Sequence, residues 1–145
     1  MTTLTRRPAT RADIPFLMQL RLDTMEPHIL ATGTDNSVEQ HGRRLMYRFE
    51  CAQLLLEEGV PVGLLKLARD PAEWTVIQIQ LSPELQGKGI GRQLLEEFLA
   101  EARAAGKDVV LNVLKANPAK KLYERLGFHV EREDAHHFYM RWRPS

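Results

Sequence analysis

Residues 74–82, "WTVIQIQLS", alternate between two faces, with Ile77, Ile79 and Leu81 on one and Val76, Gln78 and Gln80 on the other. A period of two predicts a β-strand, and the glutamines make its second face partly polar. Upstream, "TLTRRPA" predicts a short first strand. Ile14, Leu17, Met18 and Leu20 then mark the buried side of a first helix over residues 10–25, with Thr10 at its N-cap and Asp13 three residues on. A weaker helix follows over residues 37–49 with Gly42 inside it, and residues 52–69 predict two apolar strands around a turn at Glu57, Glu58 and Gly59. Downstream of residue 82, Ile90, Leu94, Leu95, Phe98 and Ala102 form a helical stripe that stops at Gly106. "DVVLNVL" predicts a buried strand, "PAKKLYERLG" a short helix with Pro118 near its start, and "FHVERED" and "HFYMRW" two closing strands. The order β-α-α-β-β-β-α-β-α-β-β predicts an α/β (α+β) fold in one domain over residues 1–145, a mixed sheet of about seven strands with helices on both faces.

Charge and composition change this picture little. The chain has 145 residues, long enough to bury a core, and its 20 Lys+Arg against 19 Asp+Glu give a net charge of +1. Neither a nucleic-acid footprint nor an acidic tail shows in that balance. The one cysteine, Cys51, has no partner for an internal disulfide and sits in the apolar run "CAQLLL". The N-terminus has no apolar leader, and no run approaches the ~20 apolar residues of a membrane span, so a soluble, cytoplasmic protein is expected. His136 and His137 are neighbours in a strand and point to opposite faces, and His41 and His129 are isolated, so no metal site is expected.

Candidate chemistry begins where the alternating strand ends. In "SPELQGKGIGRQLLEEFL", residues 82–99, Gly87, Gly89 and Gly91 occupy alternate positions just before a helix. The first amides of a helix have no intrahelical acceptor, glycine removes the Cβ that would keep a bulky anion away, and the helix dipole favours negative charge. Lys88 and Arg92 add positive charge, so the stretch reads as a phosphate cradle. A Walker loop would follow its lysine with Ser or Thr, whereas Gly89 follows Lys88. A dinucleotide G-x-G-x-x-G would place glycine where Arg92 stands.

Gln86-Gly87-Lys88-Gly89-Ile90-Gly91 resembles the Q/R-x-x-G-x-G/A signature of the GNAT superfamily of acyl-CoA-dependent N-acetyltransferases, and "NPAKKLYERLGF", residues 117–128, resembles that family's N-x-x-A-x-x-x-Y-E-x-x-G-F ending, one residue shorter between Asn117 and Tyr123. The resemblance covers residues 74–130 and, upstream, element order. It implies a mostly antiparallel GNAT sheet and an acetyl-CoA co-substrate with no metal. The pyrophosphate would lie on the amides of Gln86, Gly87, Lys88, Gly89, Ile90, Gly91 and Arg92. The pantetheine arm would bond the main chain of Ile79 to Leu81 in a cleft opening against "DVVLNV", with Asn117 on its other side and Lys120 near the 3′-phosphate.

An amine attacking a thioester carbonyl needs a deprotonated nitrogen, a donor for the developing oxyanion and an acid for the sulfur. The resemblance gives the last role to Tyr123, whose ordinary pKa of ~10 keeps it protonated at neutral pH. A lysine-like amine with pKa ~10.4 is free only about once in a few thousand molecules at pH 7, so a base matters. Glu26 and His28, at the end of the first helix, are the candidates, acting through ordered water or shaping the acceptor pocket. The acceptor is a small-molecule or peptide amine, and a homodimer through the C-terminal strands is the family's expectation. The alternative is a coenzyme A-binding sensor or interaction module that does no chemistry; Tyr123 is the feature that argues against it.

Overall fold

The computed structural model describes residues 4–33 and 35–144. Strand β1 (Leu4–Pro8) is followed by a 3-10 turn at Arg11–Asp13 and by three helices, α1 (Ile14–Thr24), α2 (Glu26–Thr32) and α3 (Val38–Met46). Then come β2 (Ala52–Glu57), β3 (Val60–Arg69), β4 (Trp74–Leu81), α4 (Ile90–Ala105), β5 (Val109–Leu114), α5 (Lys120–Arg125), β6 (His129–Glu133) and β7 (His137–Trp142). All seven strands join one sheet in the order β1-β2-β3-β4-β5-β7-β6. Every pairing is antiparallel except β4 with β5. No helix among the described residues is long and apolar enough to cross a membrane.

Two cores lie on opposite faces of the sheet. On one, α4 buries Leu94, Leu95, Phe98, Leu99 and Ala102 against strand residues that include Leu65, Val76, Val109 and Met140, with Leu122, Tyr123 and Leu126 of α5 packed at its margin. On the other, Leu17 and Leu20 of α1 and Leu45 of α3 cover Ala52, Leu54 and Leu64. The entry into α1 is tied to β1 by Asp13, which accepts two guanidinium bonds from Arg7 at 2.8 and 2.9 Å and the Thr10 N–H at 2.8 Å. Arg7 and these bonds hold the Asp13 carboxyl down at about 2.

Three expectations need correction. The region between β1 and β2 holds three helices, not two. Met25 closes α1, and a separate α2 begins with Glu26 and Pro27 and ends at Gly33 in the left-handed conformation (φ 84°). Proline has no N–H to continue the first helix but suits a first turn, and glycine suits the end, so "EPHILATG" is a helix of its own. The alternation of β4 is also interrupted. Lys66 pairs with Gln78 but Leu67 with Val76, leaving Ile77 as a bulge. The extra residue returns Val76 to the face of Ile79 and Leu81, and all three meet the α4 core, while Gln78 and Gln80 turn to the α1 side. The second predicted helix ends at Met46, short of residue 49, and Lys66 explains the stop. Its buried Nζ donates to the carbonyls of Arg44, Leu45 and Tyr47 at 3.3, 2.9 and 2.7 Å.

Candidate active site

The parallel pair at the centre of the sheet is short. Only Trp74 with Val109 and Thr75 with Val110 are matched, although β4 continues to Leu81 and β5 to Leu114. Beyond that point the strands part, and a cavity of about 1000 Å³ fills the gap. The Ser82 N–H donates to the Val62 carbonyl, so alternate residues Gln80 and Ser82 bond β3. By the same alternation the main-chain groups of Ile79 and Leu81 face the gap.

The glycine loop and the start of α4 border the α4 side of this gap. Gly87 (φ 77°) and Gly89 (φ 79°) are left-handed, and Gly89 is the N-cap of α4 with no side chain capping it. The first N–H with a helical acceptor is that of Gln93, to Gly89, at 3.0 Å. The amides of Ile90, Gly91 and Arg92 are therefore left for an anion. A Cβ at Gly87 or Gly89 would meet nothing within 4 Å, and one at Gly91 only Leu81 Cδ1 at 3.9 Å. The loop is not glycine-rich for internal packing; its bare surface faces open space, which fits a bulky phosphate ligand. The Gln86 side chain donates to the Leu81 carbonyl at 3.0 Å and ties the loop to the end of β4.

On the β5 side, Asn117 Oδ1 accepts the Ala119 N–H at 2.9 Å and shapes the entry into α5. Its Nδ2 has no partner among the described residues and remains a donor toward the gap. Tyr123 stands beside it, half-buried, edge-on to Phe128 with ring centroids 5.9 Å apart. Burial pushes its phenol up to about 12, and its hydroxyl has no protein partner among the described residues.

The cavity brings together Ile79, Leu81, Gln86, Gly87, Gly89, Ile90, Gly91, Arg92, Asn117, Tyr123 and His28. Three expected residues lie outside its lining. Lys88 is exposed on the loop, Lys120 Nζ sits 4.3 Å over the Phe138 ring and 3.7 Å from Glu124, and Glu26 turns to Asn36 and His41. Sequence reasoning missed the far wall: Arg21 on α1, Arg44 on α3 and Gln80 on β4 also line the cavity. Arg21 had a visible signal, since it falls four residues after Leu17 on the apolar stripe of α1.

A split parallel pair, flanked by an uncapped glycine-bordered helix on one side and a tyrosine on the other, defines an acyl-CoA-dependent transferase site. The model of the acetyltransferase (GNAT) domain matches residues 49–130, and the chain belongs to that family; it is an N-acetyltransferase that uses acetyl-CoA. L-methionine sulfoximine/L-methionine sulfone acetyltransferase of Salmonella typhimurium is 30% identical over 141 residues, covering 88% of this chain and 81% of that enzyme. N-alpha-acetyltransferase RimI of Mycobacterium tuberculosis is 44% identical over 68 residues, 46% of this chain and 42% of that one. Among solved structures, an acetyltransferase from Thermus thermophilus superposes with TM-score 0.75 at 24% identity, covering 97% of both chains. The PaiA N-acetyltransferase of Thermoplasma acidophilum, in complex with coenzyme A, superposes with TM-score 0.73 at 18% identity, covering 97% of this chain and 99% of that one.

Proposed function

We propose that the acetyl group passes directly to a primary amine held in the gap between β4 and β5, with no acyl-enzyme, and that Tyr123 supplies the proton to the leaving sulfur. The observation that carries this reading is the parting of the two strands after Thr75 and Val110, which leaves the gap-facing main chain of Ile79 and the N–H of Leu81 opposite Asn117 and Tyr123. Acetyl-CoA brings the activated acyl group. The amides of Ile90, Gly91 and Arg92, with the open glycines before them, hold its pyrophosphate, and the main chain of β4 orients the arm. A gap-facing N–H of β4 meets the charge developing on the carbonyl oxygen. Tyr123 Oη, with its pKa raised by burial, keeps its proton until a thiolate forms beside it.

Of the two candidate bases, His28 lines the cavity, and we assign it proton removal from the amine through water. Glu26 supports the acceptor wall from behind. The acceptor is a small molecule, because Arg21, Thr24, Met25 and His28 of α1 and α2 wall the cavity on the side away from α4. One relative's substrates, L-methionine sulfoximine and sulfone, are amino-acid derivatives, which agrees with this choice. Acetyl-CoA is an intracellular metabolite, and the reaction is placed in the cytoplasm. Thiol release from acetyl-CoA with a panel of amines tests the reading. Turnover with at least one amine is expected; tight coenzyme A binding without turnover of any amine would identify a sensor instead.

A further inference from the structure

The wall of the cavity formed by α1 and α3 carries positive charge that no ion pair among the described residues neutralises. Arg21 is 7% exposed, yet no carboxylate pairs with it among the described residues. Its only side-chain partner among the described residues is an uncharged one, the Nδ1 of His41, which accepts from Arg21 Nε at 2.8 Å. Its charged neighbours are also cations, Arg44 and Lys66, and burial together with Arg44 lowers the Arg21 pKa to about 10. Arg21 thus remains protonated at neutral pH. Burying a guanidinium without a counter-ion is costly, and a structure that keeps one beside a cavity leaves the counter-ion to the ligand.

The surroundings support this. His41 is 2% exposed, and burial and Arg21 lower its pKa, so the imidazole is neutral. Since Nδ1 accepts from Arg21, the ring proton sits on Nε2, which faces Glu26 Oε1 at 3.8 Å. Glu26 and His41 are therefore positioning residues that stand behind the guanidinium and fix its Nε edge. Its two Nη groups have no protein partner among the described residues, and Arg21 lines the cavity. Two parallel N–H donors on a planar fork match the two oxygens of a carboxylate. Asp35 also lines the cavity and keeps its charge; its carboxylate accepts the Ser37 N–H at 2.9 Å and makes no ion pair with Arg21, while Arg48 is held by Asp70 at 2.7 and 3.1 Å. Arg44, exposed on the rim, has no ion pair among the described residues.

We infer that Arg21, with Arg44 at the rim, is a clamp for a carboxylate of the acceptor, and that the acceptor is a free amino acid whose carboxylate the clamp holds while its amine points at the thioester. This rests on the acetyltransferase reading above, and it adds a specificity that the fold and the coenzyme site do not supply.

The test compares free L-amino acids, including L-methionine sulfone, with their primary carboxamides, by thiol release from acetyl-CoA and by calorimetry on the coenzyme A-loaded protein. The carboxamide keeps the size and loses the negative charge; its amine is also less basic, which by itself favours the carboxamide at neutral pH, so a preference for the acid comes from the site. The best amino acid should exceed its carboxamide by roughly 100-fold in kcat/KM, because a site built around a charged partner rejects the analogue lacking it. In Arg21→Gln that ratio should fall to within about tenfold, through loss on the acid alone. Arg44→Gln, on an exposed residue, should lower the ratio partially without touching the fold. Coenzyme A affinity should be unchanged in both variants. Equal use of acid and carboxamide by the native protein, or a ratio unchanged in both variants, would overturn the clamp while leaving the transferase intact. Carboxylate-selective binding without acetyl transfer would keep the clamp and remove the transferase reading. Absence of both binding and turnover for every free amino acid would overturn the clamp.

Discussion

Tyr123 and Gly91 separate chemistry from binding at the level of single atoms. Tyr123→Phe removes one hydroxyl that bonds nothing among the described residues, so packing against Phe128 survives and stability should change little. The expected loss is in kcat, roughly 100-fold for a positioned general acid, with coenzyme A affinity retained. Because burial raises the phenol to about 12 rather than ~10, its proton stays in place as pH rises. The native enzyme should show no alkaline decline in kcat up to about pH 10, and a decline centred below that would remove Tyr123 from the acid's role. Gly91→Glu should act in the opposite sense on two properties. The new Cβ meets only Leu81 Cδ1 at 3.9 Å, and an acidic side chain in a first turn favours the helix, so thermal stability should hold or rise. The same carboxylate would stand at the proposed pyrophosphate site, and coenzyme A affinity by calorimetry should fall at least about 100-fold. Gly91 was readable from the spacing of the glycines before a helix, and Tyr123 from the family resemblance of the motif around it. Arg21 left only a weaker signal, its place on the apolar stripe of α1, because a lone arginine there reads as a residue reaching for solvent until α3 and β4 are seen to enclose it.

At the scale of elements, the site depends on how tightly β2, β3 and β4 nest. Gly63 on β3 lies opposite Leu81, and a Cβ there would stand 2.6 Å from the Gln80 carbonyl oxygen, with Leu55 and Leu81 at 3.1 and 3.2 Å. Backbone cannot yield as a side chain tip can, so Gly63→Ala should cost roughly 1–3 kcal/mol, read from urea midpoints. It should also weaken coenzyme A binding by displacing the end of β4; full stability in that variant would show that the strands can open. The periodicity of this region revealed strands but not their phase. A single bulged residue, Ile77, moves Val76 to the other side, and hydrophobic pattern cannot register a residue that pairs with nothing. The helix α2 escaped for a related reason: at seven residues it is too short for periodicity, and only Pro27 and Gly33 mark its ends.

For the whole molecule, the buried titratable groups set how stability varies with pH. Lys66 is 2% exposed, and burial lowers its pKa to about 8 from an ordinary 10.5. Between those values the unfolded chain binds more proton at this site than the native one, so the Lys66 contribution to stability rises with pH and is complete above 10.5. Urea midpoints at about pH 8 and about pH 10 should show that rise, and Lys66→Met should flatten the slope whatever its own stability. Asp13 works at the other end. Its carboxyl, lowered from 3.8 to about 2, contributes stability that is present above 3.8 and lost as pH falls through 2. The order of elements and the mixed sheet were legible because each element carries its own period and punctuation. Which groups meet across the sheet was not, because contact between Lys66 and the end of α3 is made by tertiary packing and has no local trace.

The two-residue parallel pairing between β4 and β5 has a kinetic consequence. The gap is lined from both faces of the sheet, by Gly91 on the α4 side and by Arg21 and His28 on the α1 side. Donor and acceptor thus have separate doors to one reaction point, and neither must leave before the other enters. Double-reciprocal plots at several fixed concentrations of the second substrate should therefore intersect rather than run parallel, and each dead-end analogue should compete with its own substrate alone.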